Sequence, residues 1–91
     1  MDKYVFNLYI FGNTLKSKRA LENLLCICED NLKGQYELTV IDLLEHPDAA
    51  VTEKIIATPT LIKKTPLPAE RIIGDLSNKK QVLERLHILP W

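Results

Sequence analysis

The chain has 91 residues, which is the size of one small domain, and a chain of this length buries only about two thirds of its unfolded surface. Its 12 lysines and arginines balance 12 aspartates and glutamates, so no net charge draws it to nucleic acid or to an anionic membrane, and we expect neither partner. No apolar run approaches the roughly 20 residues that span a bilayer and no signal peptide is recognisable, so we predict a single cytoplasmic domain over residues 1–91.

The first half of the sequence predicts a strand, a helix and a second strand. Residues 4–11 are almost continuously apolar and rich in β-branched and aromatic side chains, as in a central strand that is buried on both faces. Thr14 offers an N-cap, and apolar residues then recur at helical spacing until Gly34 suits a helix end. Residues 36–42 read as the next strand, so we predict a right-handed βαβ unit with parallel strands.

The second half predicts a short helix, two antiparallel strands and a last helix. The resulting order is βαβαββα, which is an α/β fold of the thioredoxin-like topology with a mixed sheet. Apolar runs such as Ile55-Ile56 and Ile72-Ile73 are too short to distinguish helix from strand, so a second fold solution stays open. The predicted segments are a short helix of two turns that begins at Pro47, within a segment extending to Ile56, then a strand at 60–63, a loop at 64–69 and a strand at 71–74. A last helix, capped by Ser77, carries Leu89 and ends at Pro90.

The predicted third strand opens on a proline between two threonines. Pro59 fixes its own φ and removes one backbone donor, as at the first residue of a strand. The motif is typical of the cis-proline strand of thioredoxin-like proteins and equally of an ordinary turn. Both interpretations stay open, since only about one X-Pro bond in twenty is cis in folded proteins.

The sequence lacks the chemistry of a thiol enzyme. A thioredoxin-like oxidoreductase places a reactive cysteine where the first strand meets the first helix, because the helix N-terminus stabilises a thiolate. Residues 12–17 contain no cysteine. Cys26 and Cys28 lie about three turns further on, and their side chains point about 200° apart around the helix axis. We therefore predict small core and surface residues, and a thiol enzyme using either of them is the weakest alternative.

No other arrangement of residues predicts catalysis, a metal or a cofactor. His46 and His87 show no ligand spacing, and neither a phosphate-binding loop nor a paired-carboxylate motif is present. Residues 12–14 could hold an anion at a helix start, but a turn with a cap explains them more simply. The remaining candidates have structural interpretations: Lys63-Lys64 and Lys79-Lys80 as solvated surface, Asp75 with Ser77 as a helix start, and Tyr4, Phe6, Tyr9 and Phe11 as core.

The blocks ATPTL at 57–61 and IIGDLS at 72–77 are the most specific of several segments that stand in a recognisable order and spacing. Together these segments resemble the KaiB family of circadian clock proteins and their non-clock relatives. The resemblance implies a protein that is not an enzyme and needs no cofactor. Members of the family bind the ATPase and autokinase KaiC, sequester KaiA, and displace a thioredoxin-like sensor kinase. The other matching segments are LYIFGNT at 8–14, Ser17, Arg19, Ala20 and Leu21, and VID at 40–42.

The resemblance also implies two folds, which are a tetrameric βαββααβ ground state and a monomeric thioredoxin-like binding form. Clock-type members carry Gly and Asp where this chain has Arg85 and His87. Arginine in place of glycine favours helix by nearly 1 kcal/mol, and histidine suits a helix C-terminus better than aspartate does. We therefore expect the thioredoxin-like monomer. The residues expected to determine the fold are Pro59, Gly74, Asp75, Arg85 and His87.

Residues expected to bind the partner are carried over from the same resemblance. They are Tyr4, Arg19, Lys54 and Arg71, and basic side chains among them can pair with carboxylates. The expected partner is a KaiC-like ATPase, with KaiA or a competing sensor histidine kinase as further candidates. Clock-type members carry a lysine where this chain has Thr39, and a basic pair where it has Glu70-Arg71. The alternative function is a thioredoxin-like adaptor or sensor for a kinase, or a stress-response protein without a clock role.

Overall fold

Residues 3–88 are described by a computed structural model, and their elements follow the predicted order βαβαββα. The thioredoxin-like α/β class is therefore confirmed. None of the helices within this range is long and apolar enough to cross a membrane. The elements are β1 (Tyr4–Ile10), α1 (Leu15–Asn31), β2 (Tyr36–Asp42), α2 (Pro47–Thr52), β3 (Thr60–Thr65), β4 (Glu70–Ile73) and α3 (Lys79–Arg85).

The four strands form one mixed sheet in the order β2-β1-β3-β4. β1 runs parallel to β2 and antiparallel to β3, and β4 runs antiparallel to β3. The predicted βαβ unit and the predicted antiparallel pair are thus both confirmed. Because β1 lies between two strands, it is also the central strand that its apolar sequence indicated.

Alternation along the strands divides the core between the two faces of the sheet. Phe6 and Leu8 point to the face covered by α1 and α3, which we call the α1/α3 face. Tyr9 and Ile62 point to the other face, where α2 packs, which we call the α2 face. The helix of six residues leaves much of the α2 face uncovered, so most of the buried apolar side chains lie on the α1/α3 face.

The turn between β1 and α1 depends on one glycine and one threonine. Gly12 has a φ of +74°, and a Cβ at this position would lie 3.1 Å from Leu44 Cδ1. Thr14 then caps α1, because its Oγ1 accepts a hydrogen bond of 3.1 Å from the amide of Ser17. The predicted N-cap is confirmed, and the positive φ together with the tight contact to Leu44 favours glycine at position 12.

The short helix begins at Pro47 as predicted, and it ends well before Ile56, where the predicted segment stops. α2 stops at Thr52, and Lys54 has a left-handed φ of 53°. The amide of Lys54 donates to the carbonyl of Val51 (3.2 Å), and the amide of Ile55 donates to that of Ala50 (2.8 Å). These two bonds form a Schellman motif, which closes a helix. The motif usually uses glycine, so lysine gave no signal in the sequence.

The last helix is shorter than predicted at both ends. Asn78 rather than Ser77 is its N-cap, with the Asn78 side chain accepting from the amide of Gln81 at 3.1 Å. The helix ends at Arg85, and a second Schellman motif follows, with His87 at a φ of 57°. Residues 86–88 are therefore not helical, and the predicted continuation to Leu89 and Pro90 lies outside the described residues.

The peptide bond between Thr58 and Pro59 is cis, which resolves the alternative that the sequence left open. The bonds before Pro66 and Pro68 are also cis. The carbonyl of Pro59 accepts a hydrogen bond of 2.9 Å from the amide of Gly74. Two of the residues expected to determine the fold are thus joined directly, at the point where β3 begins and β4 has ended.

Candidate partner-binding surface

An apolar groove of about 330 Å³ opens where β1 and β2 end and β3 begins. Two of its side chains extend into solvent, since Phe11 is 54% exposed and Ile56 is 87% exposed. Apolar side chains gathered around a groove are typical of a surface that binds another protein. The lining also includes Leu43, Pro47, Ala50, Ile55 and Thr58.

Sequence reasoning missed this groove because it assigned Phe11 to the core. β1 ends at Ile10, so Phe11 lies in the turn before α1 and its ring projects from the sheet. The sequence leaves Ile56 open between helix and strand, and in the structure it follows the left-handed residue that closes α2. Phe11 and Ile56 each lie just beyond the end of a strand or helix, and that position is the signal that could have indicated exposure.

Asp42 connects the two loops on one side of the groove. Its Oδ1 accepts hydrogen bonds from the amide of Gly12 (3.0 Å) and from the amide of Leu44 (2.9 Å). These amide bonds stabilise the carboxylate and hold the pKa of Asp42 below its usual value. The charged side chain therefore fixes the turn that presents Phe11.

Lys54 and Arg71 are brought together at the end of α2. The guanidinium group of Arg71 donates to the carbonyl of Lys54 (3.0 Å) and to the carbonyl of Glu53 (2.7 Å). Lys54 is exposed and immediately precedes Ile55, which lines the groove. Lys54 therefore lies next to the lining of the groove along the chain, whereas the guanidinium of Arg71 is already engaged within the chain.

Arg19 lies on α1 near the segment that follows β4. The hydrogen bonds of Ser77 lower the pKa of Asp75, and the charges of Lys16 and Arg19 lower it further. The side chain of Asn23 donates to the carbonyl of Asp75 at 2.8 Å. Asp75 therefore ties the last loop to α1, and Arg19 lies on the same helix close enough to act on its charge.

Tyr4 is not part of this surface. It begins β1, at the opposite end of the strand from Phe11, and its ring stacks on Phe6 with 6.0 Å between centroids. Its hydroxyl lies 3.4 Å from the carbonyl of His87. The structure therefore places Tyr4 beside the end of α3 and separates it from Lys54 and Arg19.

Lys63 is buried, contrary to the prediction that it is solvated. It is 1% exposed and points from β3 to the α1/α3 face. Its Nζ donates to the carbonyl of Leu86 at 3.0 Å and lies 5.9 Å from the centroid of the Tyr4 ring. Burial lowers the pKa of Lys63, and the charge of Glu70 opposes this effect. Its position two residues after the buried Leu61 is the signal that could have indicated burial.

The two other residues expected to determine the fold also lie at the end of α3. Arg85 donates through Nη2 to the carbonyl of Arg71 at 2.7 Å, and His87 Nε2 lies 3.5 Å from Glu70 Oε2. Glycine and aspartate at these two positions would provide neither contact. Arg85 therefore connects α3 to β4, in addition to the helix propensity on which the sequence argument depended.

The cysteines lie away from the groove, and they are the exposed and buried residues that the sequence predicted. Burial, and to a smaller extent the charge of Glu29, raises the pKa of Cys28 to about 12, so this thiol is not ionised near neutral pH. Cys26 Sγ lies 3.4 Å from Lys79 Nζ on the surface. Within residues 3–88, no three His, Cys, Asp or Glu side chains are placed to hold a metal ion.

Comparison with known sequences relates the chain to circadian clock proteins. A family model described as the KaiB domain matches residues 7–88. The circadian clock protein KaiB3 of Synechocystis sp. is 49% identical over 90 residues, which are 99% of this chain and 88% of that protein. The circadian clock oscillator protein KaiB of Thermosynechococcus vestitus is 54% identical over 86 residues, which are 94% of this chain and 80% of that protein.

Solved structures share the fold at low sequence identity. The N-terminal domain of SasA from Synechococcus elongatus matches with a TM-score of 0.77 and 19% identity, covering all of this chain and 90% of that one. Chloroplastic thioredoxin z matches with a TM-score of 0.78 and 20% identity, covering 96% of this chain and 79% of that one. At these identities the likeness concerns the thioredoxin-like fold alone.

Proposed function

The chain belongs to the KaiB family, and on this basis we propose that it is a non-enzymatic clock or timer component that binds a KaiC-like ATPase and modulates its phosphorylation cycle and output. The circadian clock names of its relatives support the clock assignment. The observation that carries the binding proposal is the apolar groove, with Phe11 and Ile56 exposed beside it. Exposed apolar side chains gathered at one groove form the kind of patch that marks a protein interaction site.

The chemistry around the groove fits a protein partner with an acidic rim. An aromatic side chain near the centre of an interface and charged side chains at its edge are the usual arrangement. Here Phe11 and Ile56 would supply the apolar centre, while Lys54 and Arg19 would pair with carboxylates. Tyr4 and Arg71, which contact the ends of α3 and α2, would act on binding through the positions of those helices.

The thioredoxin-like monomer is the proposed binding form, with a homotetramer as the alternative ground state in the cytoplasm. In this proposal KaiA and a sensor histidine kinase are further partners or competitors for the same surface. Fold switching would require the chain to release the contacts that hold α3, including those of Lys63 and Arg85.

Two matched variants test the binding site. Ile56→Asp places a charge at the groove, while Val51→Asp places the same charge at an aliphatic position of α2 that is 79% exposed and not part of the lining. We expect Ile56→Asp to weaken binding to a purified KaiC hexamer at least about tenfold, since a buried unpaired charge costs more than 1.4 kcal/mol. Binding by the Val51→Asp variant should stay near that of the unmodified chain.

Either of two results would overturn this proposal. The first is that the unmodified chain shows no binding to a KaiC hexamer but binds a sensor kinase, which would favour the adaptor function instead. The second is that both aspartate variants bind equally well, which would place the interface elsewhere. Backbone NMR spectra of both variants would establish that they retain the fold.

A further inference from the structure

One residue of β4 contacts the ends of two helices that lie on opposite faces of the sheet. The guanidinium group of Arg71 donates to the carbonyls of Glu53 (2.7 Å) and Lys54 (3.0 Å), just after α2. The backbone carbonyl of Arg71 accepts a hydrogen bond of 2.7 Å from Nη2 of Arg85, which is the last residue of α3. Side chain and backbone of Arg71 thus join α2 to α3 through a single residue.

The segment that closes α2 is held by this contact. A helix of six residues is too short to be stable alone. The Schellman bonds occupy the carbonyls of Ala50 and Val51, while those of Glu53 and Lys54, just beyond the helix, accept from Arg71. The planar guanidinium group matches two adjacent carbonyls and carries the charge that a helix C-terminus favours. Lys64 also contacts this region, but its Nζ bonds the side chain of Glu53 at 2.9 Å and not the backbone.

The end of α3 reaches the backbone of β4 through Arg85, while His87 just beyond the helix lies near the side chain of Glu70. A groove of about 310 Å³ separates this part of the helix from the strand, and Gln81 and Arg85 line its helical side. Lys63 and Tyr4 also contact the residues after α3, but these two side chains come from β3 and β1 and not from β4. The bond from Arg85 is therefore the one among these contacts that acts on the backbone of Arg71.

We propose that Arg71 couples the two helix ends, so that release of Arg85 loosens the end of α2 and changes the position of Lys54 beside the apolar groove. Arg71 is in this view a positioning residue. The consequence for partner binding depends on the proposed function, whereas the coupling is a property of the isolated chain. The two can therefore be tested separately.

Amide hydrogen exchange measured by NMR on the isolated chain tests the coupling. Arg85→Met removes the donor to the Arg71 carbonyl and retains an unbranched side chain, while Gln81→Met is a matched control on the same side of the same helix. Exchange of the Lys54 and Ile55 amides, referred to the amides of α1, should accelerate about two- to fivefold in Arg85→Met, as expected for a weakened hydrogen bond. The control should leave both rates unchanged.

A double-mutant cycle with Arg71→Lys supplies the second measurement. Lysine retains the charge but has no fork to contact both carbonyls, so this variant should accelerate the same two amides, and Arg85→Met should then add little. Unchanged exchange at Lys54 and Ile55 in Arg85→Met, or effects that simply add in the double variant, would overturn the proposal.

The affinity for a KaiC hexamer separates this proposal from the proposed function. If the unmodified chain binds, Arg85→Met should bind more weakly although residue 85 lies outside the groove. Failure of the unmodified chain to bind would reject the proposed function, and the exchange rates would still decide whether the coupling exists.

Discussion

The buried amine of Lys63 donates a hydrogen bond of 3.0 Å to the backbone carbonyl of Leu86, which is the residue that follows the last turn of α3. Both side chains are almost fully buried, at 1% and 0% exposed. A charge on the central part of the sheet therefore holds the end of a helix that contains only seven residues. This contact makes the position of α3 sensitive to one side chain of β3.

Replacing Lys63 with methionine should destabilise the protein. The substitution preserves the aliphatic volume but leaves the carbonyl of Leu86 without its donor, which typically costs about 1–3 kcal/mol of unfolding free energy. Relief of lysine desolvation offsets part of this cost. Urea unfolding monitored by circular dichroism would measure the difference, and Lys64→Met, at the half-buried neighbouring position, is the control. A methionine variant as stable as the unmodified chain would contradict the expectation.

The same pair of proteins should differ in pH dependence. The pKa of Lys63 is lowered by burial in the folded chain, so the unfolded chain binds more protons between that pKa and about 10.5. The stability of the unmodified chain should therefore rise relative to Lys63→Met as the pH increases through this window. The neutral amine still donates to Leu86, so the contact is retained. Urea unfolding of both proteins from pH 7 to about 10.5 would test the sign. A fall in the stability of the unmodified chain relative to Lys63→Met over this range would exclude the lowered pKa of Lys63 as the cause.

Lys54→Gly should stabilise the fold and weaken partner binding. Lys54 has a φ of 53°, a conformation that costs a residue with a Cβ about 1 kcal/mol and costs glycine little. The unfolding temperature of Lys54→Gly should therefore rise, while loss of the ammonium group removes a contact available to the partner. Lys33→Gly is the matched control, because Lys33 is exposed beyond the end of α1 and has no positive φ. That variant should gain no stability.

Two alanine substitutions distinguish the observed cap of α3 from the predicted one. Asn78→Ala should cost about 1 kcal/mol, because the amide of Gln81 loses its acceptor. Ser77→Ala should cost less, since the Ser77 backbone amide, which bonds Asp75, remains in place. Equal effects in chemical denaturation would mean that the helix begins one residue earlier than in the structure.

Asp42→Asn should lower the unfolding temperature at pH 7. The carboxylate accepts two amide hydrogen bonds and its pKa is lowered in the folded chain, so its contribution is present above the usual pKa of about 3.8 and is lost as the pH falls through the lowered value. The two proteins should therefore converge in stability near pH 2. If the two proteins still differ in stability near pH 2, the effect of Asp42→Asn comes from the geometry of the side chain and not from its charge.

Much of the fold could be predicted because its signals are local. The apolar residues of β1 and the helical spacing after Thr14 each indicate one element, and the order of elements then determines the topology. The helix ends could not be predicted in the same way. Lys54 and His87 close α2 and α3 in left-handed conformations that are usually adopted by glycine, so the sequence pattern continues past the point where each helix stops.

The candidate surface was less accessible to sequence reasoning, because it depends on where elements end. Phe11 was predicted as core and Ile56 belongs to an apolar run of undecided structure, and both are exposed because each lies just outside a regular element. Lys63 shows the opposite case, in which a charged residue is buried because a helix end supplies its acceptor. The sequence around Lys63 gives no sign that the carbonyl of Leu86 lies within hydrogen-bond distance.

The bond between Arg85 and the carbonyl of Arg71 also has a consequence for self-association. The sheet has two edge strands, β2 and β4, and an unoccupied edge is a template to which a strand from another molecule can add. On β4, Arg85 occupies one of the backbone acceptors that an added strand would need, and it places a positive charge beside the edge. The same side chain that connects α3 to the sheet therefore also occupies part of the outer edge of β4.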